Sequence, residues 1–267
     1  MTTQVKIITP TRPHETVRLF GISIHNVTMD QAVETIKQWV EEDGKHIVTT
    51  PNVDHIVQLH QNEEFVAAYQ EASLIVPDGM PLVWASRFLG KPLKERICGT
   101  DLFSRVCQLA QEKGFRVFFL GGKLEDPSSA MGRLQQQFPQ LSIAGHYAPP
   151  FGFEKDPAEN HKIVQLIGEA KTDILFIAVG APKQEKWVAA HKDVLDFKAA
   201  LCVGSALDCL TGVEKRAPRW MQKNSLEWFW RLMQDPKRLW KRYLIRDLAF
   251  LGIFLKELFG KQRKLTS

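Results

Sequence analysis

Several polar side chains that could bind or activate a substrate stand directly after short apolar runs of this 267-residue chain. Thr50 ends HIVTT, and Asn52 follows it by two positions. Asp78 ends LIVPD, and Asp208 ends ALCVGSALD. A short continuous apolar run is typical of a strand buried on both faces, and open parallel sheets bind their ligands at the carboxyl ends of such strands. The pattern therefore predicts that these side chains meet in one crevice, which indicates an enzyme.

Asp78 is the candidate general base. A carboxylate fixed at a strand end can accept a proton from an attacking hydroxyl when partial burial keeps its pKa in a useful range. A turn or a helix cap is the alternative role, because Asp-Gly is a common turn pair. Thr50 and Asn52 offer donors and acceptors for a sugar or a base, and capping of the next helix is their alternative role.

A glycine turn and an isolated arginine offer contacts for phosphate. Gly121 and Gly122 in FFLGG lie between a predicted strand and a predicted helix, where backbone N–H groups can hold a phosphate. A tight turn alone would also explain the two glycines. Arg96 could contact a phosphate, although a surface charge is its default interpretation.

Two further residues are candidates for the nucleotide side of such a site. Gln184 follows Pro182, which favours the first turn of a helix, and we expect Gln184 and Glu185 to be exposed near that N-terminus. Asp208 could bind a ribose hydroxyl, as acidic groups do at strand ends, or it could be a structural cap.

Several common signatures are absent from the sequence. The chain has no G-x-G-x-x-G and no G-x-x-x-x-G-K-[ST], which disfavours nicotinamide, flavin and P-loop chemistry. It also has no Asp-x-Asp, no H-E-x-x-H and no G-x-S-x-G. We therefore expect no cofactor and no metal, so that Arg or Lys would have to stabilise any leaving pyrophosphate.

The elements that position these residues alternate between strand and helix up to about residue 214. Thr28 is a plausible N-cap of one helix, and Gly114 would end another. The alternation predicts an α/β fold with a Rossmann-like, mostly parallel sheet and helices on both faces. We assign residues 1–214 to an α/β catalytic domain and residues 215–267 to a basic, aromatic-rich helical appendage.

The appendage carries most of the positive charge. It has fourteen Lys and Arg against four acids, a net +10, which leaves −5 on the rest of a chain whose total is +5. Its Trp, Phe and Leu content is typical of an interfacial helix on an anionic membrane, and its aliphatic bulk argues against nucleic acid. Helices packed on the body with a solvated basic side are the alternative. No signal peptide or membrane-spanning run is evident, so we expect a cytoplasmic location.

With these residues assembled, the chain resembles the WecG/TagA/CpsF family of glycosyltransferases from about residue 21 to 250. The resemblance rests on ordered strings in register: TPNVDHIV, PDGMPLVWASRFLG, ERICGTDLF, FFLGG, VGAPKQEKW, VGSALDCLTGVEKRAPRWMQ and LEWFWRLMQDPKRLWKRYL. It implies inverting, metal-independent transfer of N-acetylmannosamine, its uronic acid or a related hexose from a UDP-sugar. The implied acceptor is a sugar on polyprenyl diphosphate, in cell-surface polysaccharide synthesis.

The resemblance also implies roles for individual residues. Asp78 matches the catalytic base, Thr50 and Asn52 match positions that line the sugar pocket, and Arg96 matches a diphosphate contact. Gln184 and Asp208 match nucleotide-side positions. Arginines of the basic appendage would dock on the inner face of the membrane and complete the site, and they are Arg216, Arg219, Arg231, Arg238 and Arg242. A homo-oligomer is left open, and a non-catalytic membrane-associated binder of nucleotide-sugars is the alternative function.

Overall fold

A computed structural model describes residues 14–42, 44–122 and 127–265. Its main sheet has six strands: β3 (His46–Thr49), β4 (Leu74–Ile75), β5 (Arg116–Gly121), β6 (Ser142–Tyr147), β7 (Ile174–Ala178) and β8 (Ala199–Cys202). They lie in the order β4-β3-β8-β7-β5-β6, and every adjacent pair is parallel. The predicted Rossmann-like α/β architecture is confirmed. All six carboxyl ends meet at one edge of the sheet.

Both faces of this sheet are buried, which explains the continuous apolar runs. Along β7, Ile174 and Phe176 pack into the core on one face, and Leu175 and Ile177 pack into the core on the other. Successive side chains of a strand point to opposite faces, so a strand covered on both sides needs apolar residues at every position.

Thirteen α-helices are described. They are α1 (Met29–Glu41), α2 (Val53–Leu59), α3 (Glu63–Gln70), α4 (Met80–Phe88), α5 (Gly99–Lys113), α6 (Pro127–Gln137), α7 (Pro157–Glu169), α8 (Lys183–His191), α9 (Ala206–Leu210), α10 (Arg219–Lys223), α11 (Glu227–Gln234), α12 (Pro236–Lys241) and α13 (Ala249–Leu265). A 3₁₀ turn covers Phe153–Lys155, and a π turn covers Arg242–Arg246.

Local capping signals were predicted well in two places and missed in a third. Thr28 caps α1 with a reciprocal capping box to Gln31, and Gly114 ends α5 with φ of 72°. The segment after Pro51 forms two consecutive helices, α2 and α3. The Asn62 side chain accepts a hydrogen bond from the Phe65 N–H at 3.0 Å and so starts a new helix, α3.

A small antiparallel hairpin precedes the sheet. It consists of β1 (Thr16–Leu19) and β2 (Ile22–His25). Its apolar side chains form a separate core cluster with α2, α3 and α4. Residues of the C-terminal helix α13 pack against that cluster, and the rings of Phe20 and Phe250 meet edge to face at 5.1 Å.

The sequence after residue 214 is helical as far as Leu265 apart from short connections. It turns back over the body, because α13 contacts α2 while the π turn also contacts α2. The division into a domain of residues 1–214 and an appendage of residues 215–267 stays a prediction.

Gly121 lets β5 approach the end of β7. Its φ is +101°, and a Cβ there would lie 2.7 Å from the carbonyl carbon and oxygen of Ala178. An L side chain at this position would therefore meet both backbone strain and a clash with backbone atoms.

Gly121→Ala should lower the free energy of unfolding by about 2 to 4 kcal/mol, because it combines left-handed strain with overpacking. Urea unfolding followed by circular dichroism measures the change. Gly132→Ala is the matched control: Gly132 lies in α6, has nothing within 4 Å of a built Cβ, and should gain up to about 1 kcal/mol. Equal effects of the two substitutions would contradict the close-approach argument.

Candidate active site

A cavity of about 730 Å³ lies at the carboxyl edge of the sheet. Each of the six strands contributes lining residues from its end or from the loop that follows, and the C-terminal helical segment covers part of the opening. The candidate residues that line it are Thr50, Asn52, Asp78, Gly121, Gly122, Gln184, Asp208, Arg231 and Arg242. The expected convergence of strand-end side chains on a single crevice is therefore present.

The backbone holds Asp78 firmly at this edge. The Asp78 N–H donates to the Pro51 carbonyl at 2.9 Å, and the Ile97 N–H donates to the Pro77 carbonyl at 2.8 Å. These bonds bring the Asp78 carboxylate to the N-terminus of α5. A Cβ on Gly99 would lie 3.3 Å from Asp78 Oδ2, so glycine allows this close approach.

Asp78 has an environment suited to a general base. Burial raises the pKa of Asp78 from its ordinary 3.8 to about 6, while the charge of Arg231, a hydrogen bond from the Gly99 backbone and the charge of Arg96 oppose the rise. A base with a pKa near the working pH combines a useful ionised fraction with appreciable proton affinity. The geometry thus gives Asp78 the means to take a proton from a hydroxyl in the cavity.

Thr50 and Asn52 border Asp78 from the loop after β3. A Cβ on Gly99 would lie 3.3 Å from Thr50 Oγ1, the same separation as from the Asp78 carboxylate. Asn52 is the N-cap of α2 and accepts from the His55 N–H at 3.3 Å. Its Oδ1 also accepts from Arg242 Nη2 at 3.3 Å. Asn52 is therefore both a helix cap and a lining residue of the cavity.

Gln184 and Glu185 are buried, and the expectation that they are exposed is wrong. Gln184 Nε2 donates to Glu185 Oε1 at 2.7 Å, and Gln184 Oε1 accepts from the Gly204 N–H at 3.1 Å. The amide therefore fixes the loop after β8, where Gly204 has φ of +53°. Proline set the helix start at Lys183, but the first turn faces the protein interior rather than solvent.

The glycine turn after β5 has a steric function in this structure. The Gly122 N–H donates to the carbonyl of Ala178, the last residue of β7, at 3.1 Å, so this N–H already has a hydrogen-bond partner. Phosphate binding by Gly121 and Gly122 stays a prediction, and residues 123–126 lie outside the described part of the chain. Asp208 lies in α9, the helix that follows β8. It is buried and lines the cavity.

Arg96 does not line the first cavity and lines a second one of about 360 Å³ instead. Its Nη1 is 3.1 Å from Glu227 Oε2. This ion pair joins the body of the protein to α11. The predicted role of Arg96 as a diphosphate contact stays a prediction.

The appendage arginines occupy different environments. Arg231 and Arg242 line both cavities. Arg216 pairs with Asp101 at 2.6 Å, and Arg219 is exposed and lines neither cavity. The side chain of Arg238 lies outside the described residues.

One lining residue, His55, escaped sequence reasoning. His55 lines the first cavity, and its Nδ1 is 2.7 Å from the Tyr69 hydroxyl. The Glu185 carboxyl accepts a hydrogen bond from Gln184, and burial raises the pKa of Glu185 to about 7. The available signal for His55 was its position three residues after Asn52, which is the distance from an N-cap to the first helical turn.

In the described ranges, no group of three or more His, Cys, Asp or Glu side chains is arranged to hold a metal ion. None of the helices in the same ranges combines the length and the apolar character needed to cross a bilayer.

Asp78→Asn should stabilise the folded protein by about 1 to 2 kcal/mol at about pH 7.5. The folded-state pKa of about 6 exceeds the ordinary 3.8, so ionisation of Asp78 destabilises the fold above pH 6, and this cost disappears as the pH falls toward 3.8. Thermal unfolding at several pH values measures the difference, with the exposed Asp196→Asn as control. A variant that is less stable than wild type at every pH would contradict the burial argument.

Comparison with known proteins identifies the family of the chain. The family model of the glycosyl transferase WecG/TagA/CpsF family matches residues 17–264. An N-acetylglucosaminyldiphosphoundecaprenol N-acetyl-beta-D-mannosaminyltransferase of Staphylococcus aureus strain MRSA252 is 32% identical over 251 residues, covering 93% of this chain and 94% of the relative. The enzyme of the same name from strain MW2 is 31% identical over the same shares. This chain therefore belongs to the WecG/TagA/CpsF family of glycosyltransferases.

Proposed function

We propose that this glycosyltransferase moves N-acetylmannosamine, or a closely related hexose, from a UDP-sugar to a polyprenyl-diphosphate-linked sugar. The transfer proceeds with inversion and without a metal ion. The observation that carries the proposal is the position of Asp78, a partly buried carboxyl with a pKa of about 6, in the wall of a cavity built from six strand ends. The relatives' names supply the acceptor class, N-acetylglucosamine on diphosphoundecaprenol.

The first cavity suits the donor. Its volume of about 730 Å³ falls in the range of roughly 300 to 1,000 Å³ typical of small-molecule sites. Its place at the carboxyl ends of a parallel sheet is where such folds bind nucleotides. Asp78, Thr50 and Asn52 follow β4 and β3 at one end of the sheet, whereas Asp208 and Gln184 follow β8 and β7 nearer its middle. The nucleotide binds toward Asp208, and the transferred sugar lies toward Asp78.

The reaction is a single displacement. The acceptor hydroxyl gives its proton to the Asp78 carboxylate while its oxygen forms a bond to the anomeric carbon of the donor sugar. The bond between that carbon and the UDP oxygen breaks on the opposite face, which inverts the configuration. The leaving diphosphate gains negative charge in this step. Arg231, Arg242 and Lys183 are cations in the cavity wall that stabilise it electrostatically.

The appendage brings the enzyme to its lipid-linked acceptor. Large apolar side chains stand exposed along it: Trp220, Trp228, Phe229, Met233, Trp240, Leu244, Ile245, Leu248, Leu251, Leu255 and Phe259. A contiguous apolar patch beside basic residues is typical of a segment that lies in a membrane interface. The protein thus docks on an anionic membrane surface as a peripheral enzyme, with the two cavities near that surface.

The decisive experiment measures UDP release from a panel of UDP-sugars with N-acetylglucosamine-diphosphate-polyprenol, in the presence of a chelator. One donor should support release that requires the acceptor and no metal. Asp78→Asn should lower kcat by about 100-fold to 10,000-fold, because it removes the base. The acidic limb of kcat/KM should have an apparent pKa of about 6, since Asp78 must be ionised to act.

Asp196→Asn, on the exposed surface, is the matched control and should keep wild-type turnover. UDP binding without release from any donor would favour the non-catalytic binding protein instead. Acceptor-dependent release that survives Asp78→Asn would keep the enzyme and remove the proposed base.

Membrane docking predicts that Leu244→Asn together with Ile245→Asn lowers vesicle binding about tenfold or more. Both side chains are more than half exposed, and each contributes roughly 1.5 to 3 kcal/mol when fully buried in an apolar phase. Co-sedimentation with vesicles that contain phosphatidylglycerol measures the change. Val194 is an apolar residue of the body with similar exposure, so Val194→Asn is the control and should bind vesicles as wild type does. Equal binding by all three proteins would contradict docking through this segment.

A further inference from the structure

The second cavity, of about 360 Å³, adjoins the first. Five residues line both: Asn52, Asp78, Arg231, Arg242 and Tyr243. The carboxylate of Asp78 therefore borders two chambers. In the proposed reaction Asp78 takes the proton of the acceptor hydroxyl while that hydroxyl attacks the donor. A carboxylate that borders two chambers suits this step, with the donor in one chamber and the acceptor in the other.

Part of the wall of the second chamber is apolar. Met80 and Pro81 come from the start of α4, Trp228 from α11, and Leu248 and Phe250 from the start of the C-terminal helix region. None of these five residues lines the first cavity. Such a wall gives a sugar few hydrogen-bond partners, but it matches a hydrocarbon chain.

This apolar wall continues onto the protein surface. Trp228 is 44% exposed and Leu248 is 63% exposed, so both belong to the chamber and to the outer face. Leu244, Ile245 and Leu251 are exposed in the same segment. Exposed apolar side chains are thus available beside the chamber for a hydrocarbon chain that leaves it toward a membrane.

The charges that line the second chamber nearly cancel. Three arginines are opposed by three acids, and they are Arg96, Arg231, Arg242, Asp78, Glu227 and Asp247. Arg96 is also paired with Glu227 at 3.1 Å. A diphosphate alone would meet little net positive charge here, because the acids offset the attraction of the arginines. Tight binding of a lipid diphosphate therefore requires the apolar wall.

We propose that the second chamber binds the first isoprene units of the polyprenyl carrier against Met80, Pro81, Trp228, Leu248 and Phe250, with the acceptor sugar toward Asp78. The enzyme then recognises the lipid itself and does more than capture a sugar that the membrane presents. This proposal rests on the function proposed above and adds a site for the hydrocarbon part of the acceptor.

Two water-soluble acceptors test it without a membrane. One is N-acetylglucosamine diphosphate esterified to a ten-carbon prenol and used below its critical micelle concentration, and the other is the methyl ester. Wild type should use the prenyl acceptor at least tenfold better in kcat/KM. Leu248→Asn and Met80→Gln, which change lining residues from two different parts of the chain, should each reduce that preference several-fold and leave the KM for the UDP-sugar unchanged.

Leu251→Asn is the matched control, because Leu251 is 56% exposed in the same segment and lines neither cavity. It should keep the wild-type preference. Equal use of the two acceptors by wild type, or equal losses in Leu248→Asn and Leu251→Asn, would overturn the prenyl site while transfer itself still stands. No transfer by wild type to either acceptor or to the polyprenol would instead refute the proposed function, and the prenyl site with it.

Discussion

Ion pairs between the C-terminal segment and the body determine the shape of the site. Asp54, which is 4% exposed, lies 3.4 Å from Arg242 Nε and 2.9 Å from Arg246 Nη1, while Arg96 binds Glu227 at 3.1 Å. A buried carboxylate that loses its partners is costly, so Asp54 holds the arginines in place. Without these contacts the second chamber would lose part of its wall, and Arg231 would not be held near Asp78.

The proton affinity of Asp78 depends on the same placement. Burial raises the pKa of Asp78, and the charge of Arg231 from α11 is the largest influence in the opposite direction. Because Arg231 belongs to the segment that carries the exposed apolar side chains, the position of that segment affects both the proposed membrane contact and the proposed base. The site is thus tuned by a long-range contact between residues far apart in the chain.

Local patterns predicted the frame of the site, because apolar runs and capping residues act over a few positions. Strand ends brought Thr50, Asn52, Asp78 and Asp208 to one cavity as expected. The burial of Gln184 was not predictable in this way, since its partner is the Gly204 N–H, contributed by the loop after the next strand. The pairing of Arg96 with Glu227 spans 131 residues, and the two-chamber arrangement likewise depends on tertiary contacts that leave no local signature.

Part of the uneven charge of the sequence is used in ion pairs within the chain. The +10 of the tail and the −5 of the body suggested a polyanionic partner, yet part of this charge is matched within the chain. Arg216 pairs with Asp101, and Arg242 and Arg246 both pair with Asp54. These arginines hold the segment on the body, so fewer cations face outward than the net charge implies. In the proposed membrane docking, the exposed aromatic and aliphatic side chains therefore provide most of the affinity, and charge selects the lipid composition.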